Sequence, residues 1–213
     1  MKESVLAVQK AVIELDIDGI TGVIQRCLDD GISSEEIVQD GMSKGLTAVG
    51  DKFEEGEYFL ADLVMSGEVV KEGMVLLEDK IDPDKTVKKG KVILATVKGD
   101  IHEIGKSIVG MMLSASGFEI IDLGVDVSPD KIVETVKQTG ATLIGLSTLL
   151  TTMVGSIKDT VDAIAEAGLR EKVKIAIGGA CTSEQLADEM GADAYGATAV
   201  QAVKIFEDML AAH

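Results

Sequence analysis

The apolar residues of this chain keep two different rhythms, and the switch between them near residue 85 limits the fold more than any other feature of the sequence. From Ser4 to about Lys80 they recur at spacings of three and four, as in Val5, Val8, Val12 and Leu15 and again in Leu63, Val64, Gly67 and Val70. That is the period of a helix with one buried face. No strand-like alternation interrupts this half. Gly31 followed by Ile32-Ser33-Ser34-Glu35-Glu36 supplies a stop and then a capping residue, and Gly56 separates a further pair of helices. A bundle of four or five helices is expected over residues 1–85. The polar stretch 78–90, EDKIDPDKTVKKG, holds one of the two prolines in the sequence and is the expected linker.

Beyond it come short apolar runs separated by amphipathic segments: Val92 to Val97, Phe118 to Ile121, Leu143 to Leu146 and Val173 to Ile177. A last run near Ala192 to Tyr195 makes five, followed by a helix from about Ala199 to Ala211. Short apolar strands alternating with helices predict a mainly parallel sheet covered on both faces. The fold class is therefore α/β, with an N-terminal helical bundle ahead of a flavodoxin-like, Rossmann-type domain over residues 90–213. Its expected strand order is 2-1-3-4-5, which places a ligand crevice beyond the carboxyl ends of the first and third strands. Chemistry should then cluster after Val97 and after Leu146.

Charge and residue usage narrow the partners. With 37 acidic against 20 basic side chains the net charge is -17, which repels a phosphate backbone, so nucleic acid and anionic membrane are not expected partners. The first 85 residues are the more acidic part, with 20 acidic and 8 basic groups. No run approaches the roughly 18 to 20 apolar residues needed to span a bilayer, and MKESVLAVQK lacks the apolar block of a signal peptide, so a cytoplasmic protein is expected. Cys27 and Cys181 form no paired-cysteine motif and read as small core residues. The two histidines are His102 and the C-terminal His213. A transition-metal site built by protein alone needs three or four side-chain ligands, so a metal at His102 must bring most of its own.

His102 falls where the crevice is expected, in Lys98-Gly99-Asp100-Ile101-His102-Glu103-Ile104-Gly105-Lys106. Asp100 lies two positions ahead of it, a spacing that in a loop lets a carboxylate accept the proton of one ring nitrogen while the other faces a metal. Gly99 and Gly105 allow backbone to approach a bulky planar ligand. The alternative is a surface histidine satisfied by a neighbouring acid. The third strand runs out through Ser147-Thr148-Leu149-Leu150-Thr151-Thr152 and the fourth through Gly178-Gly179-Ala180. These small residues either cap helices and make turns, or keep a channel open for an extended ligand tail.

Together, KGDIHEIGKSIVG, the Ser147-Thr148-Leu149 triplet and Gly178-Gly179 closely resemble the cobalamin-binding domain of methionine synthase and the corrinoid proteins of methyltransferase systems in methanogens and acetogens. The resemblance covers nearly the whole chain. It implies a cobalamin or related corrinoid, methylcobalamin when loaded, with His102 displacing the cofactor's benzimidazole as lower cobalt ligand and Asp100 holding it. Gly99, Ile101, Glu103 and Gly105 complete the cofactor loop, and Ser147, Leu149, Thr151, Gly178, Gly179 and Ala199 line the nucleotide-tail pocket. Val49 to Leu60 looks like the segment that caps the upper corrin face, with Phe53 and Leu60 at the capping positions. Gln39 falls where the family often has an acidic residue near the ligand. The sequence departs from the pattern at Glu103, where aspartate is usual, and at Ala61, where proline is common. At Met153 methionine synthase has a serine extending the histidine–aspartate relay, which leaves Thr151 or Thr152 to substitute.

The function implied is that of a methyl carrier, a component and not a complete enzyme. A donor-specific methyltransferase would load it from a methyl ether, methylamine, methanol or betaine. A second methyltransferase, using tetrahydrofolate or a thiol such as coenzyme M, would unload it, and a reductive activase is a further partner. The chain has no room for either barrel-sized catalytic domain. Two alternatives are a corrinoid-dependent sensor, which no basic face or DNA-binding segment supports, and the cobalamin subunit of an adenosylcobalamin mutase, which the capping segment opposes.

Overall fold

The computed structural model describes residues 3–77 and 89–211, so nearly all of the expected linker, and His213, lie outside the described residues. The chain divides into two compact units, the first helical and the second α/β.

In the helical unit, α1 (Glu3–Ile13) and α2 (Ile20–Asp29) precede α3 (Ser34–Glu36), a π-helical segment (Ile37–Ser43), α4 (Lys44–Glu54) and α5 (Leu60–Val75). Ser33 caps α3 as its position suggests, its Oγ accepting the Glu36 amide at 3.1 Å. The core gathers Val5, Val8, Val12, Ile20, Ile24, Cys27, Ile37, Met42, Val49 and Val69. Close approach is set by two glycines four apart. A Cβ added at Gly41 would lie 2.8 Å from Val8, and one at Gly45 2.8 Å from Val12, so both positions accept α1 only without a side chain.

Two parts of the apolar pattern read differently here. Leu15 is not on the buried stripe of α1, which ends at Ile13; it follows the helix with φ at 59°. Val64 is exposed, and the buried face of α5 is Leu63, Ser66, Val69, Val70 and Gly73. Two of its five residues, Ser66 and Gly73, are small ones that an apolar pattern passes over.

The second unit is a doubly wound parallel sheet of β1 (Lys91–Thr96), β2 (Glu119–Asp122), β3 (Leu143–Ser147), β4 (Lys174–Gly178) and β5 (Ala194–Gly196), ordered β2-β1-β3-β4-β5. The flavodoxin-like α/β fold read from the sequence is the fold observed. Ile93 and Ala95 face a core shared with α7 (Pro129–Thr139), α8 (Gly155–Glu166) and α9 (Glu184–Met190), while Val92 and Leu94 face one shared with α6 (Ile104–Ala115) and α10 (Ala199–Ala211). Buried on both faces, the strands show continuous apolar runs instead of alternation. Register places Thr96 beside Ser147 and Ser147 beside Gly178, so the loops leaving β1, β3 and β4 emerge together. The buried Lys106, in the first turn of α6, sits 2.5 Å from both carboxylate oxygens of Asp122 and ties that helix to the end of β2. Cys27 is buried as expected, whereas Cys181 is half-buried. Among the described residues no helix is long and apolar enough to cross a membrane.

The glycine packing predicts opposite outcomes for one substitution at two helical sites. Gly45→Ala should destabilise by about 1–3 kcal/mol through overpacking, despite the better helix propensity of alanine. At the exposed Gly22 in α2 an added Cβ meets nothing within 4 Å. There, Gly22→Ala should stabilise by roughly 0.5–1 kcal/mol. Urea unfolding of the two variants checks the signs.

Candidate functional site

The loop leaving β1 is organised around Asp100, which is fully buried. Its Oδ1 accepts the His102 amide at 3.0 Å and faces His102 Nδ1 at 2.7 Å. Its Oδ2 accepts the Thr148 hydroxyl at 3.0 Å and the amides of Leu149 at 2.7 Å and Leu150 at 3.1 Å, all from the exit of β3. Burial opposes ionisation, but the amides of His102, Leu149 and Leu150 and the imidazole outweigh it and hold the carboxyl well below the usual carboxylate range. An ionised carboxylate only accepts, so Nδ1 must be the donor. In the neutral ring this tautomer leaves the lone pair on Nε2. Nε2 has no hydrogen-bond partner among the described residues, and the side chain is 47% exposed. The main chain of His102 is fixed as well, because the buried hydroxyl of Thr96 donates to its carbonyl at 2.9 Å.

Around the ring lies surface that a soluble fold does not ordinarily leave apolar. Ile101 is 72% exposed and Ile104 71%, and Leu149 and Leu150 are also exposed. A Cβ at Gly105 would meet nothing within 4 Å, so this helix start is open on its outer side. Glu103 is exposed in the same loop. Among the described residues no three His, Cys, Asp or Glu side chains come together in a way that could hold a metal ion. One imidazole, on an exposed apolar shelf, is what the protein offers to a metal here.

The relay hydroxyl is not the one the sequence suggests. The hydroxyl that bonds Asp100 belongs to Thr148; Thr151 and Thr152, expected to stand in for the relay serine, are exposed in a short 3-10 turn, Thr151–Met153. The signal was present in Ser147-Thr148-Leu149, but nothing in the sequence said which hydroxyl turns inward. Gly99 has φ at +86°, and a Cβ there would lie 2.5 Å from the sulfur of Met153, so the chain's own turn and packing already demand glycine. At Gly179 a Cβ would fall 1.9 Å from the Thr148 carbonyl oxygen, and at Gly178 3.2 Å from that of Gly196; both are set by neighbouring backbone. Ser147 is half-buried at the end of β3, its carbonyl accepting the Val97 amide at 3.1 Å. Ala199 opens α10 and packs against Ile108, Met112 and Val200. In the helical unit Gln39 is exposed within the π-helical segment, and Phe53 is half-buried against the bundle core. Leu60 is 51% exposed, and its neighbour Phe59, which the sequence reading passed over, is 70% exposed, with Val64 and Met65 exposed one turn further on.

Residues 90–204 match a family model described as a B12 binding domain, and residues 7–78 match a second model of the same description. A corrinoid protein of Desulfitobacterium hafniense (strain Y51) is 39% identical over 205 residues, covering 95% of each chain. The chain belongs to the corrinoid proteins of methyltransferase systems. A monomethylamine corrinoid protein of Methanosarcina mazei is 39% identical over 201 residues, covering 92% of each chain. The crystal structure of the methanol:cobalamin methyltransferase complex from Methanosarcina barkeri matches with a TM-score of 0.86 at 26% identity, over all of this chain and 81% of that one. As a corrinoid protein the chain carries methyl groups on a corrinoid, and its β1 loop fits such a cofactor: a flat, largely apolar macrocycle arrives with its metal already held by ring nitrogens. It needs from the protein an apolar shelf and one lone pair, which are the features that exposed Ile101 and Ile104 and the His102 ring present.

The asymmetry between the two polar residues of the site gives a prediction for the cofactor-free protein. Asp100→Ala leaves the buried Thr148 hydroxyl and the Leu149 and Leu150 amides without their acceptor and should cost about 3 kcal/mol. His102→Ala, at a half-exposed ring, should cost less than about 1 kcal/mol. Urea denaturation of both variants without corrinoid tests this; equal losses would show that Asp100 is not what holds the loop.

Proposed function

We propose that His102 is the lower axial ligand of the corrinoid cobalt, and that the chain passes a methyl group from a donor-specific methyltransferase to a second methyltransferase acting on tetrahydrofolate or a thiol. The observation that carries this reading is the Asp100–His102 pair, with Nδ1 bound to a buried, ionised carboxylate and Nε2 without a partner among the described residues. When bound, the corrinoid supplies a cobalt atom that accepts and releases the methyl group. The chain's own residues hold and orient. Asp100 selects the tautomer, fixes the ring plane and raises the donor strength of Nε2. Ile101 and Ile104 cover the apolar underside of the macrocycle, and Ser147, Leu149, Thr151, Gly178, Gly179 and Ala199 take the nucleotide tail.

The helical unit, residues 1–85 in this reading, covers the upper face through Leu60 and Phe53, with Gln39 as a polar neighbour. The exposure of Phe59, Leu60, Val64 and Met65 supports such a role, because four apolar side chains left at the surface within seven residues fit a surface that is covered in use. The donor is a small methylated compound, a methylamine, methanol, betaine or methyl ether. The monomethylamine relative favours an amine, and the matched methanol complex supports delivery to a separate subunit. A reductive activase completes the set of partners.

Reconstitution with cob(II)alamin should give one bound equivalent whose electron spin resonance shows nitrogen coupling that changes when the protein's histidine carries the heavy nitrogen isotope. Coupling that follows a labelled benzimidazole instead would overturn the assignment. His102→Ala should weaken binding by about 10–100-fold.

For the cover, Leu60→Ala should speed photolysis of bound methylcobalamin with cofactor affinity and fold stability unchanged, since Leu60 is half-exposed and buries little in the bundle. Phe53→Ala should also lower stability, because Phe53 packs on the bundle core. Photolysis rates equal to wild type in both variants would reduce these residues to packing alone.

A further inference from the structure

The turn between β2 and α7 reaches across to the histidine loop through one residue. Asp126 has φ at 54°, and the other non-glycine residue with positive φ among the described residues is Leu15. A side chain makes this conformation costly, and aspartate is among the few residues that adopt it, so its retention calls for a compensating contact. Asp126 makes two, in opposite senses. Its Oδ1 accepts the Gly99 amide at 2.9 Å, and its own amide donates to the Asp100 carbonyl at 2.9 Å. Lys98 Nζ, 3.0 Å from the same Oδ1, adds a partly solvated charge contact. On either side the turn is bound to β1: the Thr96 amide donates to Gly124, the Val127 amide donates to Thr96, and Val97 bridges to Val127.

Asp100 is therefore held at two ends. Its side chain is fixed by the exit of β3, through Thr148, Leu149 and Leu150, and its main chain by Asp126. The residue ahead of them is Gly99, at φ +86°; the Asp100 amide donates to the Val97 carbonyl at 3.1 Å, and the Asp126 carboxylate adds the hold on the Gly99 amide, without which a glycine has more room to rotate than any other residue. Rotation there would swing the main chain of Asp100 and, two residues on, the ring of His102.

We propose that Asp126 is a positioning residue for His102: its carboxylate and amide grip the Gly99–Asp100 backbone and so set where the imidazole stands. The inference rests on the reading of His102 as axial ligand, and its test separates the two. Asp126→Gly keeps the turn conformation and the amide but removes the acceptor for Gly99. Asp126→Asn keeps a residue tolerant of this conformation and restores an Oδ1 acceptor. In the full-length protein reconstituted with cob(II)alamin, Asp126→Gly should remain as resistant to urea as wild type, because glycine relieves the positive φ. It should nonetheless bind cob(II)alamin roughly ten-fold more weakly, the low end of the effect of removing support behind a metal ligand. It should also show a smaller fraction of signal coupled to labelled histidine, while Asp126→Asn returns both readings to near the wild-type values. A glycine variant with wild-type affinity and full histidine coupling would overturn the proposal, as would an asparagine variant as loose as the glycine one. If wild type itself shows no histidine coupling, the axial reading fails instead. The positioning role is then decided in the cofactor-free protein, where the Nδ1 proton of His102 should exchange faster in Asp126→Gly than in wild type, and an equal rate would overturn it.

Discussion

A carboxylate buried without bulk water has to be surrounded by donors, and that requirement at Asp100 organises the carboxyl edge of the sheet. It explains why three segments converge there. The β1 loop turns back so that the amide and ring of His102 can reach one oxygen, and the β3 exit bends so that a hydroxyl and two successive amides reach the other. The close approach of β4 follows from the same crowding, since Gly179 must pass against the Thr148 carbonyl with no side chain between. Remove the charge and the threonine, the glycine and the turn lose their common reason.

The helical unit is built on another principle, apolar contact at short range, with Gly41 and Gly45 letting α1 lie close. Its exposed apolar turn nevertheless stands on a fixed base. Tyr58 donates its hydroxyl to the Ile13 carbonyl at 2.7 Å, and Lys52 both pairs with Glu57 at 2.6 Å and lies over the Tyr58 ring. Phe59 and Leu60 follow directly, so these side chains are presented from an anchored turn.

Strand order and the last helix were legible in the sequence because strands buried on both faces leave continuous apolar runs, and because each run is closed by a small or polar residue. His102 was legible for a different reason: it is the single internal imidazole, and Asp100 stands at a spacing that only a loop makes useful. What escaped the sequence depended on which side chain turns inward. Ser147, Thr148, Thr151 and Thr152 all carry a hydroxyl, and only the folded chain shows that the one turned in to Asp100 is that of Thr148. The sequence shows Gly99 and Gly179 but not Met153 or the Thr148 carbonyl beside them, which call for glycine on packing grounds alone. Val64 was assigned to the core because the stripe that displaces it uses Ser66 and Gly73.

The strand order also sets a sequence of events during synthesis. β1 emerges first, yet its sheet partners are β2 and β3, and the donors to Asp100 Oδ2 lie 48 to 50 residues downstream. At a ribosomal rate of about 5–20 residues per second, the histidine loop waits roughly 2–10 s before the segment that fixes its carboxylate has been made. Contacts between segments so far apart close late in folding, because the intervening chain must first be gathered. A nascent chain that ends before Thr148 has every residue of the β1 loop and none of the donors to Asp100 Oδ2.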